Sequence, residues 1–517
     1  MDTIHYYEAR ANTVKTEDIV LADNNRLLLQ GLRGEGDAKV VDSMCIKDHY
    51  AGQHDNDTYV PEDKTDMGWF GYFIGASKDL TYLHLYEFCR DGQIDSVEPL
   101  FSGLTLNTSI KSLALTATNV VEGKLFTMLR PLFGNARSNL LDVYIGNCDV
   151  GGEAGRLLSL ALEGCSRSLR TLNLSNTDIS DEQMVHIITA LSNKHHELRD
   201  LYLEGNRVGT KTCIALATLL RCAARGLEEL KLDNNQICDE GLIELVPALS
   251  DQRCNLENLA LVGNRSITAK GWRSLGTVLS TSNLVTIDIE QNTVDDEAVA
   301  HFTKCLAENH KLVRLGLNDN PSITEEGLRS ISQLLCDASS VNRTFQSNHT
   351  LSQLLPWRGT YQVRALPQHG TYPHHGTHLW PNHALDQAYG GASTLLSLLE
   401  LNGSSHDPKR VAVMKILKHH DDFDLGPLFD WEYSFLPLMI DWFEVASSYS
   451  FYFEANIEQR KLSSIYHFIR AMPLLYVELR LRKELEDMKY EDLSIEKEQL
   501  KLRLERSLLA LKRKKVG

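Results

Sequence analysis

Three positions in a recurring pattern gather side chains able to recognise a charged ligand. In chain order they hold Tyr82, His84, Tyr86; Ser112, Ala114, Thr116; Asp142, Tyr144, Gly146; Thr171, Asn173, Ser175; Asp200, Tyr202, Glu204; Glu229, Lys231, Asp233; Asn258, Ala260, Val262; Thr286, Asp288, Glu290; and Arg314, Gly316, Asn318. Seven are acidic (142, 200, 204, 229, 233, 288 and 290) and two basic (231 and 314). A field of carboxylates steers cationic groups toward it, and tyrosines supply anchoring area. The candidate partner-binding residues are therefore Tyr144, Asp200, Tyr202, Glu204, Glu229, Lys231, Asp233, Asp288, Glu290 and Arg314, with Tyr82 and Tyr86 as further aromatic anchors.

Covalent chemistry finds no footing. The chain contains no P-loop, GxGxxG, HExxH, GxSxG or kinase signature. Its paired carboxylates read as solvated surface, and no cofactor or metal is implied. Five histidines (369, 374, 375, 378 and 383) lie in QVRALPQHGTYPHHGTHLWPNHALDQAYGGAS, which has no cysteine and only Asp386 as an acid. A metal site, an ordinary loop and a gene-model artefact all stay open there. Ten cysteines (45, 89, 148, 165, 213, 222, 238, 254, 305 and 336) form no CxxC pair, so they are expected to be reduced and, where buried, to act as small apolar groups.

The elements that position the charged residues follow from periodicity. In LEELKLDNNQICDEGLIELVPALS (227–250) leucines first alternate at strand spacing and then recur at helix spacing. The L-x-x-L-x-L pattern restarts at Leu80, Ile110, Leu140, Leu169, Leu198, Leu227, Leu256, Leu284 and Leu312, every 28 to 30 residues, with a worn tenth unit expected from Val341. An asparagine follows each strand at 206, 235, 264, 292 and 320, with Cys148 in the cysteine variant and Thr118 and Thr177 as departures. Its amide suits a tight turn whose backbone groups no ladder reaches. Helical stripes keep step, as at Met184, Ile187, Leu191 and at Leu242, Leu245, Leu249, and shift by one where the turn gains a residue in NRSI and NPSI. Acids at the helix starts (Asp181, Asp239, Asp295, Asp296, Glu325) suit the helix dipole, and Ser180 with Gln183 fits a capping box.

Across residues 80–350 this pattern resembles the ribonuclease-inhibitor class of leucine-rich repeats. The resemblance implies an α/β solenoid, a horseshoe with a parallel sheet on its concave side and helices on its convex side, followed by a C-terminal all-helical extension. Residues at alternate strand positions then face the hollow. The expected organisation is an N-terminal capping region (1–79) with VVDSMCIKD as a lead-in strand, repeats (80–350), a His/Pro/Gly-rich linker (351–395), a helical unit (396–475) around Trp431, Phe435, Leu438, Trp442 and Phe443, and a charged helical tail (476–517). The segments DTYVPED, GWFGYFIG, SSVNRTFQSNHTL, KILKHH and IEQRKLSSIYHFIRAMP are similar to those of a large group of leucine-rich-repeat proteins from algae of the diatom type. That likeness implies a recurring architecture and no particular activity. In the tail, Leu474, Leu481, Met488, Ile495, Leu502 and Leu509 recur every seven residues and leave weak self-association or a solvated helix as alternatives; KRKK (512–515) is either a nuclear-localisation patch or a favourable helix end.

Net charge of −16 at a pI of about 5.6 argues against nucleic acid as the main partner. No stretch of 18 apolar residues and no secretory pattern in MDTIHYYEARANTVKTEDIV point to a cytoplasmic protein. The sequence reads as a non-enzymatic scaffold binding a protein of basic or mixed charge in its acidic hollow. The alternative is a GTPase-activating regulator of a Ran-like GTPase: the same repeat class builds such proteins, and Arg90 follows the first repeat's strand.

Overall fold

The computed structural model describes residues 3–35, 39–47, 57–62, 64–88, 98–117, 124–150, 152–194, 197–222, 226–354, 392–406 and 408–420. The chain divides into two compact units, residues 1–327 with 353–384 and residues 328–352 with 385–517.

The first unit carries one parallel sheet of eleven strands: β1 (Ser43–Ile46), β2 (Thr58–Tyr59), β3 (Tyr82–Tyr86), β4 (Ser112–Thr116), β5 (Asp142–Gly146), β6 (Thr171–Asn173), β7 (Asp200–Tyr202), β8 (Glu229–Lys231), β9 (Asn258–Ala260), β10 (Thr286–Asp288) and β11 (Arg314–Gly316). From β3 to β11 each strand pairs with its successor in sequence; β1 lies beside β3, with β2 outside it. Parallel neighbours need a crossover, which the helices supply: α3 (Lys64–Ala76), α4 (Glu98–Leu104), α5 (Lys124–Gly134), α6 (Glu153–Glu163), α7 (Asp181–Lys194), α8 (Thr210–Cys222), α9 (Asp239–Leu249), α10 (Ala269–Gly276) and α11 (Asp296–Leu306). α12 (Glu325–Leu335) follows β11. In-phase pairing aligns Leu172, Leu201, Leu230 and Leu259 in one buried row, and the expected stripes Met184, Ile187, Leu191 and Trp272, Leu275, Leu279 are buried against it. Burying each aliphatic side chain contributes roughly 1.5–3 kcal/mol, and only stacking makes this available to a unit this short.

The turn asparagines work as their amide chemistry requires. Asn264 is wholly buried, and its Nδ2 donates to the carbonyls of Leu232 (2.9 Å), Leu261 (3.0 Å) and Val262 (3.4 Å), while its Oδ1 accepts from Ile237 N at 3.3 Å. Asn206, Asn235 and Asn320 repeat this, their Oδ1 atoms accepting from Ile179, Val208 and Val294. Asn292 is the exception. The extra residue of the NRSI turn lets Ile267 N bond Asn264 O at 3.1 Å, and Asn292 Oδ1 is buried with no partner among the described residues.

Of the acids at the helix starts, Asp295 caps its own helix, accepting from Ala298 N at 2.9 Å, whereas Asp181, Asp239 and Asp296 reach across to the next one. Asp239, the first residue of α9, accepts from the backbone amides of Thr268 (2.7 Å) and Gly271 (3.0 Å) and from Thr268 Oγ1 (2.6 Å), all at the start of the next helix. Asp181 does the same for Gly209, Lys211 and Thr212, and Asp296 for Thr324 and Gly327. These bonds hold all three carboxyls low, against the upward push of burial. The device falls in alternate repeats, because Thr210, Ala269 and Glu325 occupy the equivalent place in the others. At Gly271 a Cβ would lie 2.6 Å from Asp239 Oδ1, so the glycine makes room for the carboxylate. Asp239→Ala is expected to cost about 1–2 kcal/mol, as loss of a helix cap does, and to speed amide exchange at Thr268–Gly271 before it changes that of α9. Exchange mass spectrometry checks this.

Both sheet edges are closed. At β2, the side chain of Asn24 donates to Thr58 O (2.5 Å), and that of Asn25 both donates to Val60 O (2.8 Å) and accepts from Val60 N (3.3 Å). These asparagines lie on α2 (Asp23–Arg33), which is itself capped by Glu62 accepting from Leu21 and Ala22 amides. At β11, Leu315 N donates to Gln353 O (2.9 Å) and Gln353 N to Val313 O (3.1 Å). The chain thus rejoins the sheet at Gln353. Val341, where a tenth unit was expected, instead opens a short helix, α13 (Val341–Phe345).

Among the described residues of the second unit, α14 (Ala392–Gly403) and α15 (Pro408–His419) come after α13. Leu351, Leu395, Leu398, Leu399, Val411, Ala412 and Ile416 are buried within it. The linker histidines at 369–383, the Trp431–Phe443 cluster and the whole tail lie outside the described residues.

Candidate interaction surface on the sheet

Strand alternation puts the charged residues on the sheet face turned away from the helices, and register arranges them in rows. Asp142, Thr171, Asp200, Glu229, Asn258, Thr286 and Arg314 pair across β5 to β11. Tyr144, Asn173, Tyr202, Lys231, Ala260, Asp288 and Gly316 form the second row. Glu204, Asp233 and Glu290 continue the alternation two residues beyond Tyr202, Lys231 and Asp288. The ten residues expected from the sequence therefore share one face.

They are not simply solvated. Asp288 and Glu290 are only 5% and 8% exposed, and Lys231 is 7% exposed. Asp288 leans across Gly316, where an added Cβ would lie 2.4 Å from its Oδ1. Val262 N donates to Asp233 Oδ1 at 2.9 Å, Glu290 N to Asp288 Oδ1 at 3.2 Å, and Asn318 Nδ2 to Glu290 Oε1 at 3.1 Å. Burial first, then neighbouring carboxylates, pushes Asp233 up to about 7 and Glu290 up to about 8; burial pushes Asp288 up to about 6. These groups hold protons in the range where isolated carboxylates have long lost them.

Around Tyr144 and Tyr202 the acids are better served. The Arg170 guanidinium clamps Asp142 through two bonds of 3.0 and 2.7 Å, and Ser112 Oγ donates to the same carboxylate at 3.0 Å. Thr171 Oγ1 donates to Asp200 (3.0 Å), and Ser175 Oγ to Glu204 (2.5 Å). Burial still pushes Asp200 up. Lys231 lies 3.4 Å from Glu229 and 4.9 Å from the Tyr202 ring centroid. Burial raises the Tyr144 hydroxyl to about 12 and raises Tyr202 too, so both remain neutral donors. Arg314 Nε donates to Thr286 Oγ1 at 3.0 Å.

The face extends past the first repeat. β1 adds Ser43 and Cys45 in register with Tyr82 and His84, and Lys47 Nζ stands 5.0 Å from the Tyr86 ring. Burial and Lys47 hold His84 down near 4, so it is a neutral imidazole, 3.1 Å from Thr116 Oγ1. Lys47 was legible as the next alternate residue of the lead-in strand. Arg170 was not, since it precedes the pattern's outward positions. Arg90 lies outside the described residues. Among the described residues no group of three or more His, Cys, Asp or Glu is placed to hold a metal ion, and no helix is long and apolar enough to cross a membrane.

A family model described as a leucine-rich repeat matches residues 165–182 and 225–246. These spans take in β6 and β8 with the turns and helix starts that follow them. The chain folds as a leucine-rich-repeat solenoid. No curated protein matches it. Among solved structures this leucine-rich-repeat chain is similar to the Rad7 and Elc1 complex of yeast, at 18% identity over 68% of this chain and 80% of that one, with a TM-score of 0.38. It is also similar to an internalin of Listeria monocytogenes, at 15% identity over 69% and 88%, with a TM-score of 0.33.

Proposed function

We propose that the protein is a non-enzymatic interaction scaffold and that it binds a protein segment of basic or mixed charge on the sheet face. The observation that carries this reading is the set Asp233, Asp288 and Glu290: two buried carboxylates and a half-buried one close enough to raise one another, with Lys231 as a cation acting on Asp233 and Asp288. Such a set repels itself, and a partner's lysine or arginine would relieve it. Closed edges favour the same reading, since the asparagine pair at β2 and Gln353 at β11 leave little unpaired backbone for an added strand. Tyr144 and Tyr202 supply rigid area with a polar tip, the usual make-up of an interface anchor.

The test compares the full chain with a variant carrying Tyr144→Ala, Tyr202→Glu, Asp233→Lys and Glu290→Lys in affinity capture from native lysate. Partners that the variant loses by about tenfold or more, the effect of about 1.4 kcal/mol, and that dissociate as salt rises, support the face as the binding site. An unchanged partner list rejects it.

A further inference from the structure

Lys415 projects from α15 into the second unit and has no exposed surface. Its Nζ donates to Leu335 O, the last carbonyl of α12, and to Asn348 O at 2.9 Å, and lies 3.1 Å from His349 Nδ1. The other ring nitrogen, His349 Nε2, is 2.9 Å from Phe345 O. A carbonyl only accepts, so Nε2 carries the imidazole proton and Nδ1 is bare. The pocket therefore suits one arrangement: an ammonium giving all three protons to two carbonyls and a neutral imidazole. A proton added at Nδ1 would point at the ammonium.

The surroundings sharpen this. Besides Lys415, α15 and the residue after it bring Lys418, His419 and His420; α14 brings Glu400; the end of α12 brings Cys336 and Asp337; and the α13 segment brings Arg343 and His349. Thr344 Oγ1 is 2.8 Å from His420 Nε2, and Asn402 Nδ2 donates to Asn348 O and Leu351 O. His419 Nε2 is buried with no partner among the described residues. Acid would add imidazolium charge at His349, His419 and His420, and among the described residues the acids brought to them are Asp337 and Glu400. Burial lowers Lys415, His419 and His420. A base whose folded value is lowered takes up protons more readily when unfolded, so stability is lost as pH falls. The sheet carboxylates, with raised values, respond with the opposite sign.

We propose that residues 328–352 and 392–420 form an acid-labile latch: protonation of His349 expels the Lys415 ammonium and frees α15 while the repeats stay folded.

The test is hydrogen–deuterium exchange on the full chain at about pH 7.5 and about pH 5.5, the window in which imidazoles titrate, corrected for the intrinsic rate. Peptides spanning 408–419 are expected to exchange about tenfold faster at the lower pH, a local opening, and those spanning 181–306 no faster. His349→Gln, which cannot gain the proton, should abolish most of the acceleration. A His419→Gln/His420→Gln variant keeps the Lys415 pair and should retain it. Uniform acceleration, no acceleration, or full acceleration in His349→Gln overturns the proposal. If His349→Gln is already open at pH 7.5, the double variant decides: retained acceleration supports the latch, and its loss overturns it.

Discussion

Asn264→Ala is expected to destabilise the repeats by about 3–5 kcal/mol, read as a lower urea midpoint. The side chain is wholly buried and makes four hydrogen bonds. Alanine leaves three carbonyls and one amide without it, and each buried group left unmade costs about 1–3 kcal/mol, less whatever an entering water recovers. Asn292→Ala offers an internal control. Its Nδ2 serves three carbonyls in the same way, but its Oδ1 has no partner among the described residues to lose. The control should therefore be milder by about 1 kcal/mol, the net value of one hydrogen bond. Equal losses would mean that the missing acceptor carries no weight. Because stacked repeats can unfold piecemeal, exchange protection around Ile237 and Leu261 is the sharper readout.

How much of this was legible from the residues depends on the reach of each contact. Leucine spacing set the strand and helix of the units from Leu169 to Leu312, because a period of two or of 3.6 is a local property, and it misled at the worn pattern from Val341, which opens a short helix. The outward rows followed by alternation, and all ten candidate residues do share one face. What periodicity does not carry is which neighbour, one repeat away, a polar group will meet. Asp239 sits where a helix dipole wants an acid, yet it caps the following helix; its only sequence signals were the alternation of Asp with Thr, Ala and Glu at that position and the glycine at 271. The left-handed residue before each turn was also readable in part: Gly205 and Gly263 suit it, whereas Glu87, Ala117 and Gln291 adopt it without that freedom. On the face itself, the burial of Asp288 and Glu290 had no signal in the repeat pattern; Gly316, beside both side chains, leaves them room to fold down. Lys415 carried no signal at all, since its acceptors lie 66 to 80 residues earlier in the chain.

Buried carboxylates give the face a dependence on pH that a solvated acidic surface would lack. Asp233, Asp288 and Glu290 are raised to about 7, 6 and 8 in the folded chain, whereas an unfolded carboxyl titrates near 4. Between those limits the folded repeats bind more protons than the unfolded chain. Their contribution to stability is therefore fully present below about pH 4 and is lost as pH rises through about 6 to 8. The three are coupled, so the loss is smaller than their separate shifts would suggest, on the order of 3 kcal/mol. For a unit of this size that corresponds to a melting temperature roughly 5 °C higher at about pH 5.5 than at about pH 8. Asp233→Asn with Glu290→Gln should flatten the slope, and scanning calorimetry of the two chains checks it. A melting temperature that rises with pH in this interval would show that the carboxylates are solvated or paired. Binding of a cationic segment would run the other way. It favours the ionised carboxylates, so it must release protons, and affinity should fall as pH drops from 8 to 5.5 even as the free repeats grow more stable. An ordinary surface attraction between exposed charges would leave affinity nearly level over that range, because exposed carboxylates are already ionised there. Titration calorimetry of a captured partner in two buffers of different ionisation enthalpy measures the released protons directly, and a count of zero would remove these three side chains from the interface.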